Sequence, residues 1–286
     1  MRAEDVKRVG VVGCGLMGSG IVEVAARAGC DVTVVEPTED LLKSGRSRIE
    51  RSVAKGVEKG KVSAADAEAL LGRIIGATDL ASFVDADVVI EAATENLDAK
   101  LDVFRRLGEA TRDEVVLASN TSSIPIVELA VASGRPDRVV GMHFFNPPPV
   151  MQLLELTPAL TTSDETIEFA RAFAERLGKV VVRSKDHAGF IVNRVLIPYL
   201  NDAAQLFDGG FATRDDIDTA IHLGLGHPMG PLTLMDLIGI DTCVAVGEVL
   251  FAEFGEPRYA PPPVLRRMVA AGHLGRKSGR GFYDYA

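Results

Sequence analysis

A chain of 286 residues, 47% hydrophobic and 25% charged, can bury a sizeable core in one large domain or in a large and a small one. Its formal charge of −9 argues against nucleic acid as a partner, because phosphate binding needs a basic face. No apolar run reaches the roughly 18 residues of a membrane span, and the first residues lack the basic-then-apolar order of a secretory leader. Cys14, Cys30 and Cys243 are odd in number, far apart and without metal-type spacing. They read as buried or free thiols in a reducing compartment, which suggests a cytoplasmic protein without a metal site.

In chain order, Lys7–Val12 is a β-rich run ending in Gly13, and apolar residues at helical spacing follow over Ser19–Ala28. Asp31–Val35 is a second strand. Two charged helical segments, about 39–59 and 63–73, form a hairpin insertion around Gly60 and Lys61. Further strand-like runs lie at Asp87–Ala92, Val115–Ser119, Arg138–His143, Met151–Leu156 and Val180–Arg183, with helical patterns at about 97–110 and 164–177. Strands alternating with helices predict a doubly wound, mostly parallel α/β sheet. Strand runs cease near Asp186, and helical spacing takes over at 189–207, 214–223 and 232–253, with a last helix at 264–271 after Pro261-Pro262-Pro263. The division is therefore a Rossmann-type domain over 1–185 and a smaller all-helical domain over 186–286.

Gly13-Cys14-Gly15-Leu16-Met17-Gly18 matches G-x-G-x-x-G between a strand and a helix. Gly13 permits the tight turn, Gly15 lets backbone approach a pyrophosphate, and Gly18 allows close helix packing, with Leu16 and Met17 opening the helix. Glu36 ends the second strand, where an acid holds ribose hydroxyls and repels a 2′-phosphate. NAD is thus favoured over NADP.

Five separated segments occur in order: Ser119-Asn120-Thr121-Ser122-Ser123, Gly141-Met142-His143-Phe144-Phe145-Asn146-Pro147, Gly189-Phe190-Ile191-Val192-Asn193-Arg194, Gly224 through Pro231, and Gly279-Arg280-Gly281-Phe282-Tyr283. Together they make the chain resemble the L-3-hydroxyacyl-CoA dehydrogenase family end to end, most closely its single-function bacterial 3-hydroxybutyryl-CoA members. The resemblance implies NAD as cofactor, an acyl-CoA as substrate and a homodimer.

An alcohol oxidised to a ketone loses a proton to a base, and His143 suits that task because imidazole titrates near neutrality. Glu155 is a lone carboxylate in an apolar strand and invites a partner. The resemblance assigns it to orienting His143, and assigns Ser122 and Asn193 to the substrate's β-oxygen. Helix capping is the alternative role for Ser122, and helix cross-linking for Asn193. By the same resemblance, Glu95, Lys100, Ser122, Asn146 and Lys277 contact the cofactor. Ser52 and Lys59, on a locally basic segment, contact the coenzyme A moiety, against the alternative of a solvated helix face. The family often carries Asp where Glu36 stands, a change of reach but not of charge. Rival readings are a same-fold dehydrogenase of a free hydroxy or sugar acid, one with a lysine base, and a non-catalytic dinucleotide-binding protein.

Overall fold

A computed structural model of the chain describes residues 1–285, in two compact units, Met1–Asp186 and His187 onward. The first unit begins with β1 (Arg8–Val12), α1 (Leu16–Arg27) and β2 (Asp31–Val35). The charged hairpin follows as α2 (Glu39–Glu58) and α3 (Ala64–Gly72), whose N-termini are capped by Thr38 and Ser63. Then come β3 (Ile74–Ala77), β4 (Val88–Glu91), α4 (Leu97–Ala110), β5 (Val116–Ser119), α5 (Ile126–Ala132), β6 (Val139–Phe144), β7 (Leu153–Pro158), α6 (Asp164–Arg176) and β8 (Val180–Arg183).

The eight strands lie in the order β3-β2-β1-β4-β5-β6-β7-β8. The order reverses between β1 and β4, so right-handed crossovers carry helices to opposite faces and leave a crevice at the carboxyl ends of β1 and β4. Strands β1, β4 and β5 are buried almost throughout, as expected where both faces are covered. All neighbours pair in parallel except β6 and β7, which run antiparallel.

One strand lies outside the sequence expectation, and one expected helix is capped in a way the sequence did not suggest. Strand β3 has four residues at the sheet edge, with Ile74 buried and Ile75 exposed, too short to show alternation. Helix α5 follows Pro125, which offers no side-chain cap. Its first amides, Ile126 and Val127, instead donate to the carboxylate of Asp186 at 2.8 and 2.9 Å, sixty and fifty-nine residues away.

The second unit is built of helices, α7 (Val192–Asp208), α8 (Arg214–Leu225), α9 (Pro231–Ile238), α10 (Ile240–Phe254) and α11 (Pro263–Ala270), with isolated β-bridges joining Gly275, Arg280 and Asp284 after the last of them. The apolar spacing over 232–253 resolves into two helices because Gly239 takes φ 106°, which ends one and starts the next. Two buried carboxylates organise this unit. Asp218 accepts from the amides of Leu232 and Thr233 at 2.8 and 2.9 Å, capping α9 from α8, and from the Tyr283 hydroxyl at 3.0 Å. Burial, the hydrogen bond to Asp218 and its charge push the Tyr283 phenol well above its ordinary value. Asp236, 1% exposed, accepts from the amides of Phe282 and Tyr283 at 2.9 and 3.0 Å and from the Tyr285 hydroxyl at 2.9 Å. A Cβ on Gly281 would overlap that carboxylate, which is why glycine precedes Phe282 in the last of the five segments.

Removing a buried acceptor orphans its donors at about 1–3 kcal/mol each. Asp236→Ala orphans three donors and should therefore lower the unfolding free energy by at least about 3 kcal/mol in urea titration. A midpoint equal to the parent's would show that the carboxylate does not hold the C-terminal segment.

Candidate active site

The turn after β1 is built by steric exclusion. Gly13 takes φ 93°, and a Cβ there would sit 2.7 Å from the Ala92 carbonyl oxygen. A Cβ on Gly18 would overlap the carbonyl oxygen of Gly13, so α1 lies directly on the turn. Around Gly15, by contrast, a Cβ would meet nothing within 4 Å. The N-terminus of α1 has no side-chain cap and no acid in its first turn. Open space over unpaired N–H donors at the positive end of a helix suits a pyrophosphate. Glu36 accepts a hydrogen bond from the Cys14 amide, and Arg48 of α2 donates to the Cys14 carbonyl at 3.3 Å, so the Cys14 backbone is held from both sides. A Cβ on Gly45 of α2 would overlap the Cys14 thiol, which fixes the hairpin against the turn. These residues fit a dinucleotide, with Glu36 at the rim where ribose hydroxyls would lie.

The carboxyl end of β6, parallel to β1, β4 and β5, carries His143. Its partner directly across the antiparallel ladder is Glu155. Opposed residues in such a ladder share one face with Cβ atoms about 5 Å apart, and here His143 Nδ1 lies 2.8 Å from Glu155 Oε2. The side chains are 9% and 1% exposed. A carboxylate on Nδ1 fixes the tautomer and leaves Nε2 to exchange protons. The Phe144 amide donates to Asn120 Oδ1 at 2.8 Å, and Asn146, exposed, precedes Pro147 through a cis peptide. Lys179 ties the following loop by donating to the carbonyls of Pro148 and Met151 at 2.5 and 2.8 Å; burial lowers its ammonium pKa.

Ser122 lies just beyond β5 and does not cap α5, which starts at Ile126; Thr121 Oγ1 instead accepts from the amides of Ser123 and Ile124. The Ser122 amide and hydroxyl both donate to Glu95 Oε1, at 2.9 and 3.3 Å, as do the hydroxyls of Thr121 and Ser123 at 2.6 and 3.0 Å. Burial pushes the Glu95 carboxyl up, but Lys100 and these hydrogen bonds outweigh it and hold it below its ordinary 4.5. A carboxyl lowered on folding stabilises fully above that ordinary value and loses the contribution as pH falls through the lowered one.

Lys100 is 1% exposed and pairs with Glu91 Oε1 at 2.6 Å and Glu95 Oε2 at 3.5 Å. Ser52 is half-buried on α2, and exposed Lys59 is its C-cap, seven residues and thus two turns further along the same side. In the second unit, Asn193 is half-buried in the first turn of α7, and Lys277 pairs with Asp241 at 2.6 Å. No group of His, Cys, Asp or Glu among the described residues could hold a metal ion.

Sequence reasoning missed Glu91, Arg48, Lys179 and Asp186. Glu91 had a readable signal, the same lone carboxylate in an apolar strand that marked Glu155. The others act across 28 to 60 residues of chain, a separation that spacing does not reveal.

A glycine-cradled helix N-terminus, an acid closing β2 and an imidazole–carboxylate pair on the same sheet edge define a dinucleotide-dependent dehydrogenase. The profile described as "3-hydroxyacyl-CoA dehydrogenase, NAD binding domain" matches residues 8–187, and "3-hydroxyacyl-CoA dehydrogenase, C-terminal domain" matches 189–285. A 3-hydroxybutyryl-CoA dehydrogenase of Mycobacterium tuberculosis is 50% identical, over 99% of this chain and 100% of the relative. The human mitochondrial hydroxyacyl-coenzyme A dehydrogenase is 44% identical, over 98% and 91%. The crystal structure of the (S)-3-hydroxybutyryl-CoA dehydrogenase PaaH1 from Ralstonia eutropha superposes with a TM-score of 0.93 at 44% identity, covering 99% of this chain and 100% of that one. The chain belongs to the 3-hydroxyacyl-CoA dehydrogenase family.

The two glycines should fail differently. Gly18→Ala should lower the melting temperature, because the overlap with Gly13 breaks the turn. Gly15→Val should melt like the parent yet lose at least about tenfold in NADH affinity by fluorescence titration, since its space is kept for the ligand. Parent-like affinity in Gly15→Val would place the pyrophosphate elsewhere.

Proposed function

We propose that the protein catalyses the reversible NAD-dependent oxidation of an L-3-hydroxyacyl-CoA, in the first place 3-hydroxybutyryl-CoA, to the 3-oxoacyl-CoA. The observation that carries the reaction type is the buried His143–Glu155 pair at the carboxyl end of β6. NAD, when bound, supplies the hydride acceptor; the Gly13–Gly18 turn and Glu36 would hold it, with Glu95, Lys100, Asn146 and Lys277 as further contacts implied by the family. Nε2 of His143 takes the hydroxyl proton in oxidation and returns it in reduction. Glu155 holds the ring and stabilises its cationic form. Ser122 and Asn193 hold the β-oxygen, each a donor to an atom whose charge rises and falls during the reaction. Ser52 and Lys59, on one side of α2, take the coenzyme A moiety.

General acid–base catalysis contributes about 10²–10⁴-fold. His143→Gln should therefore lower kcat for acetoacetyl-CoA reduction by about that range and leave NADH affinity near the parent's. A parent-like rate would remove His143 from the mechanism. Lys59→Ala should raise KM for acetoacetyl-CoA severalfold; if free acetoacetate is reduced as well as the thioester, the substrate class is wrong.

We further infer a homodimer of the cytoplasm. Exposed Phe211, Leu223 and Leu225 on the helical unit support self-association. The three buried, unpaired cysteines suit a reducing compartment. No helix among the described residues is long and apolar enough to cross a membrane. Light scattering should return twice the chain mass, and a monomer at micromolar concentration would contradict the dimer.

A further inference from the structure

The carboxyl edge of the sheet holds a second set of charges besides the imidazole and its carboxylate. Glu91, the last residue of β4, is fully buried. Its Oε1 accepts from Lys100 Nζ at 2.6 Å and from the Ala93 amide at 2.7 Å, and its Oε2 accepts from Ser119 Oγ at 2.6 Å. One carboxylate therefore joins the ends of β4 and β5 to the first turn of α4. The Lys100 ammonium has no room to follow solvent. A buried cation is tolerable only against fixed counter-charges, and these are Glu91 on one side and Glu95, at 3.5 Å, on the other.

One cation shared between two carboxylates leaves Glu95 short of positive charge. Its Oε1 makes up the difference by gathering four donors from the turn after β5: the hydroxyls of Thr121, Ser122 and Ser123 and the Ser122 amide. The Ser122 hydroxyl makes the longest of the four bonds. Its backbone amide is gripped at 2.9 Å while its proton is loosely held at 3.3 Å, which suits a hydroxyl that must be in place yet able to donate elsewhere.

We infer that Glu91 and Lys100 are positioning residues: the buried pair fixes Glu95, and Glu95 fixes the turn that presents Ser122. This deepens the proposed dehydrogenase reading and rests on it, because the positioning matters only if Ser122 contacts the reacting oxygen. It also gives Lys100 a task in addition to the cofactor contact implied by the family. At 1% exposure, with its charge spent on two carboxylates, it acts through Glu95. A donor held within about half an ångström of its productive place needs such a supporting layer.

A double-mutant cycle on the full-length enzyme tests the chain of contacts. Lys100→Met should lower kcat for acetoacetyl-CoA reduction about tenfold. In a Ser122→Ala background the same substitution should change kcat by less than about twofold, because the group being positioned is gone. Every rate is read at saturating NADH, so that a weakened cofactor contact at Lys100 does not enter kcat. Additive losses in the two backgrounds would overturn the inference. So would a lowered melting temperature with kcat intact, the mark of a merely structural role. Should Lys100→Met not fold, Glu95→Gln at the half-exposed end of the chain must show the same non-additivity with Ser122→Ala. An unmutated enzyme that fails to oxidise NADH with acetoacetyl-CoA sinks the dehydrogenase reading. An active one with an additive cycle sinks this inference alone.

Discussion

The site depends on one reversal of strand direction. Strands β1, β4, β5 and β6 all deliver their carboxyl ends to one edge of the sheet, whereas β7 runs back along β6. Direct antiparallel pairing sets His143 opposite Glu155 on one face, within reach of a single hydrogen bond. A parallel β7 would bring its carboxyl end to that edge, and Glu155, near its amino end, would be carried away. The imidazole and its carboxylate are thus fixed by ladder geometry, twelve residues apart in sequence, without a dedicated loop.

Buried carboxylates do much of the remaining organising, each by accepting backbone amides rather than by surface ion pairing. Asp186 starts α5, Asp218 starts α9, Asp236 gathers the C-terminal segment, and Glu91 closes β4. Charge-assisted bonds of this kind are roughly twice as strong as neutral ones. Because the three aspartates reach amides 14 to 60 residues away, they fix the frame on which shorter-range contacts act. Exposed ion pairs such as Arg46–Glu50 or Arg171–Glu175 contribute little by comparison.

Much of this was legible in the sequence because its local rules agree with the fold. Val, Ile and Thr runs became strands with ends shifted by a residue or two, and β2 and β8 match residue for residue. The G-x-G-x-x-G turn was readable because sterics demand glycine at two of its three positions and a ligand would demand it at the third. Glu155 was readable as a lone carboxylate in an apolar strand, and His143 through the motif that surrounds it. What escaped was set by tertiary contact. Strand β3 has one buried side chain, α5 takes its cap from sixty residues away, and the break at Gly239 is a backbone choice inside a continuous apolar pattern. The spacing of charges also could not show that Lys100 turns inward to Glu91 and Glu95. On a helix face drawn from sequence it is one more solvated lysine.

The clamped Cys14 has a chemical consequence. A thiol in the middle of a dinucleotide-binding turn would ordinarily be a liability, since the thiolate is the species that reacts with peroxides and electrophiles. Burial first, and the neighbouring Glu36 second, push this one up to about 11. At neutral pH only about one molecule in ten thousand then carries the thiolate. The turn can keep a sulfur as packing against α2 while remaining inert to oxidative insult.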